Sequence, residues 1–244
     1  MATSLKTRAI DALSYNARRV VYASSYLASR MRSAAPALTN PEKPENADYF
    51  TGKRAAYLKH MFSITARNAL TGELLARFAP SMEHVWDIGC ARGLLATALT
   101  AHGTKWYRGN DINPVAIETA AKSYEAERAR YPAHCEFEVG SMGTCEPKRE
   151  SVEVIVFNEV IYYLPTIKDA ASEITRAMKW LGPSGVVCIS LKDDPKSHAV
   201  LRNIPKSLKH ITSVIFQEYD DKPRFRIRIN RARPAYLVGV YGRA

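Results

Sequence analysis

An acidic side chain and two glycines follow a short apolar run in the segment VWDIGCARG (residues 85–93). Gly89 and Gly93 permit tight turns and a close approach of the backbone to a ligand. In a phosphate-binding loop of this kind, the phosphate lies at the N-terminus of the next helix, where free N–H groups and the helix dipole attract it. Asp87 would repel a phosphate there, whereas a cationic group would form a charge-assisted hydrogen bond with it. The segment therefore predicts a binding loop for a ligand that carries a positive charge.

A second acidic residue, Asp111, ends the segment KWYRGND (105–111) and lies 24 positions after Asp87. At the end of the second strand of an open parallel sheet, a carboxylate can accept hydrogen bonds from both hydroxyls of a ribose. A ligand with a ribose, a cationic amino-acid end and no phosphate meets the requirements of both acids. S-adenosylmethionine has these properties, and we expect it to bind between Asp87 and Asp111.

These two segments belong to a chain in which short apolar strands alternate with helical patterns. The predicted helices are 49–78, 94–101, 114–130 and 169–181, and the predicted strands are 84–88, 105–111, 135–140, 152–158 and 185–191. Two further strands, 210–219 and 235–242, have no helix between them and predict an antiparallel pair. Strand–helix alternation implies right-handed crossovers and a parallel sheet. We therefore predict an α/β fold: a Rossmann-like, doubly wound, mostly parallel sheet with an antiparallel C-terminal strand pair and an N-terminal helical extension.

Over roughly residues 49–242 the chain resembles the class I S-adenosylmethionine-dependent methyltransferases. VWDIGCARG is similar to the first motif of that family, YRGNDIN to its ribose-binding strand end, VEVIVFNEVIYYL to its fourth-strand motif and LGPSGVVCISL to its glycine-rich turn before strand five. Within the class, FNEVIYYL is most similar to small-molecule methyltransferases, including the nodulation N-methyltransferase type and enzymes encoded with polysaccharide genes. The resemblance implies methyl transfer from S-adenosylmethionine to an O or N atom of a small polar acceptor, sugar-like or amine-bearing.

The resemblance also implies which residues contact the cofactor. The first motif would line the methionine portion, Asp111 the ribose, and Asn158 and Glu159 the sulfonium. The expected cofactor-binding residues are Asp87, Gly89, Cys90, Ala91, Gly93, Asp111, Ile112, Ser141, Met142, Asn158 and Glu159.

Two positions depart from the family pattern. Ala91 stands where the family has its central glycine, and its methyl group is tolerable if this residue keeps a negative φ. Ser141 and Met142 follow the third strand, where the family often has an acid that meets the adenine amino group. The serine can still form a hydrogen bond, and the methionine can pack on the ring.

Methyl transfer requires that the acceptor is aligned with the donor, is shielded from water and loses a proton. Glu159 follows the fourth strand at the catalytic edge and is the candidate base; its alternative role is an ion pair or a backbone contact. Tyr162 is a second candidate catalytic residue, and with Tyr163 it can instead form a wall of the pocket. His60 lies where the family places lid helices over the acceptor, and its alternative role is structural.

The positive charge of the chain is concentrated at its two ends. The net charge is +11, with six Lys or Arg against one acid in residues 1–33, and seven against none in residues 222–244. The segment between them is close to neutral, which favours a small acceptor over a polyanion. RNA, bound through the five arginines between positions 224 and 233, is the rival substrate. Several of these arginines alternate with apolar residues, which is also typical of a solvated edge strand.

Residues 1–33 have apolar side chains at helical spacing and predict a basic amphipathic extension, followed by a proline-containing linker at 34–48 and the methyltransferase domain at 49–244. The extension can cover the main domain, lie on an anionic membrane surface or act as an organellar transit peptide. With Ala91 and Ser141, it also leaves open a non-catalytic module that binds the cofactor or a membrane surface. The sequence leaves the oligomeric state open.

Long apolar segments and clustered metal ligands are both missing from the sequence. No apolar run reaches the roughly 20 residues of a spanning helix. The four cysteines are widely separated, and no histidine lies at a ligand spacing from another. We therefore expect a cytoplasmic protein with reduced thiols and no metal ion.

Overall fold

The computed structural model describes residues 65–217 and 235–244. The predicted extension, the linker, His60 and the first part of the helix predicted at 49–78 lie outside these residues, as does the basic segment 218–234. The helices are α1 (Thr65–Phe78), α2 (Leu94–Thr100), α3 (Pro114–Ala126), α4 (Ile167–Ala177) and α5 (Pro195–Arg202). The strands are β1 (His84–Ile88), β2 (Trp106–Asp111), β3 (His134–Val139), β4 (Val152–Asn158), β5 (Leu181–Lys192), β6 (Leu208–Gln217) and β7 (Ala235–Arg243).

The strands form one sheet in the order β3-β2-β1-β4-β5-β7-β6. The first five strands along the chain are parallel, whereas β7 pairs antiparallel with β5 and β6. This order confirms the predicted doubly wound class and the antiparallel C-terminal pair. The strand order reverses between β1 and β4, and open α/β sheets bind ligands beyond the carboxyl ends of the strands at such a point. Asp87 and Asp111 lie at the carboxyl ends of β1 and β2, beside this reversal.

Apolar layers cover both faces of the sheet. On one face, α4 and α5 pack against the central strands through Ile174 and Val200. On the other face, α1 and α2 pack against them through Leu75 and Leu95. Because helices cover both faces, the central strands are near-continuous apolar runs. Every residue of β1 after His84 is buried, so a carboxylate at position 87 is enclosed by the protein.

Two predicted helices end earlier than expected. The helix predicted to end at 181 ends at Ala177 and is followed by a 3-10 turn. Leu181 instead begins β5, because its backbone pairs with Val152 of β4. The helix predicted at 114–130 ends at Ala126, also before a 3-10 turn. Its predicted start is confirmed, since the Asn113 side chain caps the first turn and accepts hydrogen bonds from two backbone N–H groups.

The helix α5 was not predicted, although its start signals are present in the sequence. Asp194 caps the helix and accepts a hydrogen bond from Ser197 N at 2.9 Å, and Pro195 occupies the first turn. Both are standard signals for a helix N-terminus. The helix has only eight residues, and such a short segment gives a weak periodic pattern.

Candidate active site

A cavity of about 230 Å³ lies at the carboxyl ends of the central strands. Its walls are the loops that follow β1, β2, β3 and β4. The residues predicted to contact the cofactor that line it are Gly89, Ala91, Asp111, Ile112, Ser141, Met142, Asn158 and Glu159. Asp87, Cys90 and Gly93 do not line the cavity, although they belong to the same loop and strand. The structure therefore brings most of the predicted cofactor residues to one place.

The two glycines of the first motif are required by packing. Both have positive φ, at 77° for Gly89 and 67° for Gly93. A Cβ atom at Gly89 would overlap the side chain of Val160, and one at Gly93 would overlap the ring of Phe137. The glycines thus let this loop pack closely against the segment after β4 and against β3.

Ala91 corrects one expectation. Its φ is +48°, not negative, so it adopts the left-handed conformation that the family's glycine would adopt. Its methyl group makes this conformation costly by about 1 kcal/mol. One compensating contact is visible: Ala91 N donates a hydrogen bond to Asp111 Oδ2 at 2.9 Å.

Asp111 is tied to the backbone on both sides of its carboxylate. Oδ2 accepts from Ala91 N, and Oδ1 accepts from Asn113 N, each at 2.9 Å. Burial raises the pKa of Asp111, while the hydrogen bonds from Asn113, Ala91 and Ile112 oppose that rise. Each carboxylate oxygen can accept more than one hydrogen bond. Asp111 is therefore fixed in orientation and can still accept hydrogen bonds from a ligand in the cavity.

Asp87 is buried deeper, with 1% of its surface exposed. Tyr107 donates its hydroxyl to Asp87 Oδ2 at 2.6 Å. The other oxygen, Oδ1, is buried and has no hydrogen-bond partner among the described residues. Burial raises the pKa of Asp87 to about 7; the Tyr107 hydrogen bond and Arg67 lower it, and the charge of Asp111 raises it further. The residue is a buried carboxylate that lacks one partner.

Glu159 follows β4 and lies in the cavity wall with 10% of its side chain exposed. Tyr162 donates to Glu159 Oε2 at 2.9 Å, and Arg67 Nη1 lies 3.6 Å from the same oxygen. Oε1 is buried and has no hydrogen-bond partner within the described part of the chain. Burial raises the pKa of Glu159 to about 7, against the effects of Arg67 and Tyr162. Its φ of +60° is a strained conformation of the kind found at functional sites.

Arg67 and Asn68 of α1 contact this region and were not predicted. Both are buried, as is Thr71 on the same helix. Asn158 Nδ2 donates to Asn68 Oδ1 at 3.1 Å, so α1 contacts the end of β4. The usable signal was the spacing of these polar residues, which continues the buried line of Leu74 and Leu75 at helical period.

The other candidate catalytic residues differ in how they relate to the cavity. Tyr162 packs against the core and reaches the site through Glu159, whereas Tyr163 lines the cavity. Their rings lie 4.7 Å apart. His60 lies outside the described residues. Tyr162 therefore holds the candidate base, and Tyr163 forms part of the wall.

The cysteines and metal-binding side chains of the described residues do not cluster into a metal site. The four cysteines are buried and free. No group of three or more metal-binding side chains occurs in residues 65–217 and 235–244. None of the helices in those ranges has the length and apolar character that a membrane crossing requires.

Comparisons with known proteins identify the type of domain that carries this cavity. Residues 85–182 match a family model described as a methyltransferase domain. No curated protein sequence matches the chain significantly. The match covers the first motif, both acidic strand ends and β4 with Asn158 and Glu159.

Solved structures give the same fold. The N-methyltransferase NodS from Bradyrhizobium japonicum WM9, in complex with S-adenosyl-L-homocysteine, has a TM-score of 0.56 at 19% identity, over 73% of this chain and 86% of NodS. A TehB-like S-adenosylmethionine-dependent methyltransferase from Corynebacterium glutamicum has a TM-score of 0.51 at 19% identity, over 78% of this chain and 97% of that protein. At this identity the likeness establishes the fold, and the family match adds the type of domain. Residues 85–182 therefore form a methyltransferase domain, and the described part of the chain has the fold of S-adenosylmethionine-dependent methyltransferases.

Proposed function

We propose that this enzyme methylates an O or N atom of a small polar acceptor that is sugar-like or amine-bearing. The observation that carries the proposal is Glu159, a buried carboxylate in the cavity wall with one oxygen unpartnered among the described residues. Its pKa of about 7 suits a general base at neutral pH. Such a group can take a proton from a hydroxyl or an ammonium group of a small acceptor.

The cofactor fits the charges and unpartnered atoms around the cavity. S-adenosylmethionine supplies a methyl group on a sulfonium, which is an activated donor. Asp111 would accept hydrogen bonds from the ribose, and Asp87 Oδ1 would accept one from the ammonium of the amino-acid end. Arg67 Nε is also buried and unpartnered in the described part, and it would donate to the carboxylate of that end. Asp87 and Arg67 thus match a ligand end that carries both signs of charge, and Asp111 matches the ribose.

The other residues position and shield the reaction. Tyr162 and Arg67 hold one oxygen of Glu159 and leave Oε1 to receive the proton. Tyr163 and Leu164 contribute apolar wall to the cavity and exclude water from it. The name of NodS, an N-methyltransferase, supports the amine-bearing acceptor for this chain. The five arginines between positions 224 and 233 remain the candidate contacts for RNA, and residues 1–33 the candidate surface for a membrane; the cytoplasmic location stays a prediction.

The test is a methyl-transfer screen against amines, sugars, phenols and RNA, using the wild-type chain and Glu159→Gln. We expect transfer to an amine or a sugar, and a loss of kcat by about 100-fold or more in Glu159→Gln, the size typical of a lost general base. The affinity for S-adenosyl-L-homocysteine, measured by calorimetry, should change little. Activity of Glu159→Gln at the wild-type level would contradict the role of Glu159.

A matched control is available on the same strand. Glu153 lies near the other end of β4, where it pairs with His84 at 2.8 Å. Glu153→Gln removes a carboxylate from β4 without touching the cavity, and its kcat should equal that of the wild type. If methyl transfer occurs only to RNA, with a rate that falls steeply as salt rises, the acceptor is RNA and not a small polar molecule.

A further inference from the structure

The loop between Gly140 and Cys145 forms the wall of the cavity beyond β3, and Ser141 and Met142 line it. Side chains of other elements hold the carbonyl groups of this loop. Asn110 Nδ2 donates to Gly140 O at 3.5 Å, and Arg176 Nη1 donates to Cys145 O at 3.0 Å. Arg176 Nη2 also donates to Met142 O. The main-chain path of the wall thus depends on an arginine of α4 that lies outside the cavity.

Arg176 is itself held in one orientation. Its Nε and Nη2 donate to the two carboxylate oxygens of Glu173, at 2.9 Å and 2.7 Å. Its guanidinium lies 5.7 Å from the ring of Trp86 and 5.3 Å from the ring of Trp180. The two indoles meet edge-on at 5.6 Å. The guanidinium is therefore fixed by one ion pair and two aromatic faces before it reaches the loop.

The hydrogen bonds that Arg176 makes require the planar shape of a guanidinium. Its planar fork has five N–H donors, which are enough for a carboxylate and two separate carbonyl groups. A lysine has one nitrogen and cannot reach all these acceptors in fixed geometry. The Glu173 carboxylate neutralises the charge of Arg176, so the arginine acts on the loop through hydrogen bonds and packing.

We propose that Arg176 is a positioning residue that sets the purine side of the cofactor site by holding the Met142 and Cys145 carbonyl groups. The inference rests on the proposed function, because it takes the adenine to lie against Ser141 and Met142. Arg176 touches no ligand. It fixes the position of the loop against which the purine packs. The ribose and amino-acid contacts do not depend on Arg176.

The test measures how two ligands bind to variants of two arginines, Arg176 and Arg243. S-adenosyl-L-homocysteine has the purine, whereas S-ribosyl-L-homocysteine has the same ribose and amino-acid end without it. The variants are Arg176→Met, which keeps the packing on the two indoles, and Arg176→Lys. The control is Arg243→Lys, because Arg243 Nη2 also donates to two carbonyl groups, of Met178 and Leu181, away from the cavity. Calorimetry measures affinity and thermal unfolding measures stability.

We expect Arg176→Met to weaken the binding of S-adenosyl-L-homocysteine by about tenfold, because methionine holds neither loop carbonyl group. We expect Arg176→Lys to weaken it by about threefold, because lysine can hold one of them. The affinity for S-ribosyl-L-homocysteine should stay within about twofold in both. Arg243→Lys should lower the unfolding temperature and leave both affinities unchanged. If Arg176→Met does not fold, Arg176→Lys carries the comparison.

Two results would overturn the proposal. Equal losses for both ligands, or unchanged affinity for both, would make Arg176 a residue of stability alone while leaving the proposed function intact. A wild-type chain that binds neither ligand would instead remove the proposed function, and the inference with it. The two failures are therefore distinguishable by the wild-type titration.

Discussion

Asp87 and Asp111 end neighbouring parallel strands, but the protein treats their carboxylates differently. Asp111 accepts one backbone N–H on each oxygen and lines the cavity. Asp87 accepts a single hydroxyl, from Tyr107, and its second oxygen has no hydrogen-bond partner in the described ranges. Asp111 therefore fixes the backbone of the loop after β1, whereas Asp87 is a buried carboxylate whose hydrogen bonding is incomplete among the described residues.

The burial and incomplete hydrogen bonding of Asp87 affect its charge state. A buried, partly partnered carboxylate costs free energy when it ionises, so its pKa rises. Asp87 has a pKa of about 7, and the nearby groups that act on it are Tyr107, Asp111 and Arg67. A cationic ligand end would favour the ionised form. Binding at Asp87 should therefore depend on pH near neutrality, whereas Asp111 contributes mainly through fixed hydrogen-bond geometry.

The largest effect should come from Asp111→Ala. The change removes both hydrogen bonds to the loop backbone and the ribose contacts, and we expect the affinity for S-adenosyl-L-homocysteine to fall by about 100-fold, roughly 3 kcal/mol. Calorimetry measures it. Asp169→Ala is the control, since Asp169 also accepts a backbone N–H, from Thr166 at 3.0 Å, but at the start of α4. A loss below about threefold in Asp111→Ala would contradict the role given to Asp111.

Asp87→Asn should weaken the same ligand by about tenfold at pH 8, because it removes one charge and keeps the shape of the side chain. In the wild type, affinity should rise with pH through about 7, since only the ionised Asp87 attracts the ammonium. The variant should show a flatter profile. An unchanged pH profile in Asp87→Asn would show that Asp87 does not meet the cation.

The same substitution predicts a change in stability without ligand. The pKa of Asp87 is raised from an ordinary value of 3.8 to about 7, so the folded chain binds more protons than the unfolded chain between these values. The free energy of unfolding contributed by this group is therefore present below about pH 4 and is lost as pH rises through about 7. As pH rises over this range, the free energy of unfolding should fall less in Asp87→Asn than in the wild type, as measured by urea denaturation.

Tyr107→Phe should have a smaller effect on ligand binding than Asp87→Asn. It tests how the surroundings of Asp87 set its ionisation. The Tyr107 hydroxyl lowers the pKa of Asp87, so its removal should move the midpoint of the pH profile for ligand binding upward. The affinity at pH 7 should fall by about threefold, as for one lost hydrogen bond. Tyr124→Phe is the control, because the Tyr124 hydroxyl donates to Ala133 O at 3.3 Å. A midpoint that does not move would separate Tyr107 from the ionisation of Asp87.

Ala91→Gly should have the smallest effect on binding and a measurable one on stability. Ala91 has a φ of +48°, and glycine adopts this conformation without strain, so the variant should be more stable by about 1 kcal/mol. Ala101→Gly, at a φ of −63°, should be less stable than the wild type. Thermal unfolding compares the two. Destabilisation in both would show that the methyl group of Ala91 contributes packing that outweighs its strain.

The sequence was sufficient for the sheet because its evidence is local and repeated. The strand at 84–88 was predicted with its observed bounds, since an apolar run followed by a glycine turn leaves little freedom at either end. The helix bounds were less certain: Leu181 joins β5 only because Val152 lies beside it. Whether a residue extends a helix or enters a strand depends here on a partner that is distant in the sequence.

Some residues of the candidate site could be predicted from the sequence and others could not. Asp111, Ser141 and Asn158 could be predicted because they end or follow strands, and the carboxyl ends of parallel strands lie at one edge of the sheet. Arg67, Asn68 and Arg176 could not, because each lies in a helix and reaches the site only where folding brings that helix against another element. A helical pattern reports which residues share a face, but it does not report which loop that face meets.

What the sequence by itself determined was the order of strands and helices, the acids at two strand ends and the glycines that the first loop needs. Only the tertiary structure decided that Asp87 is buried with one oxygen unpartnered, that Ala91 is left-handed and that Tyr162 holds Glu159. The reason is physical. Residue type and spacing fix local conformation and chemical capacity, whereas burial, orientation and pKa depend on groups that folding brings from elsewhere in the chain.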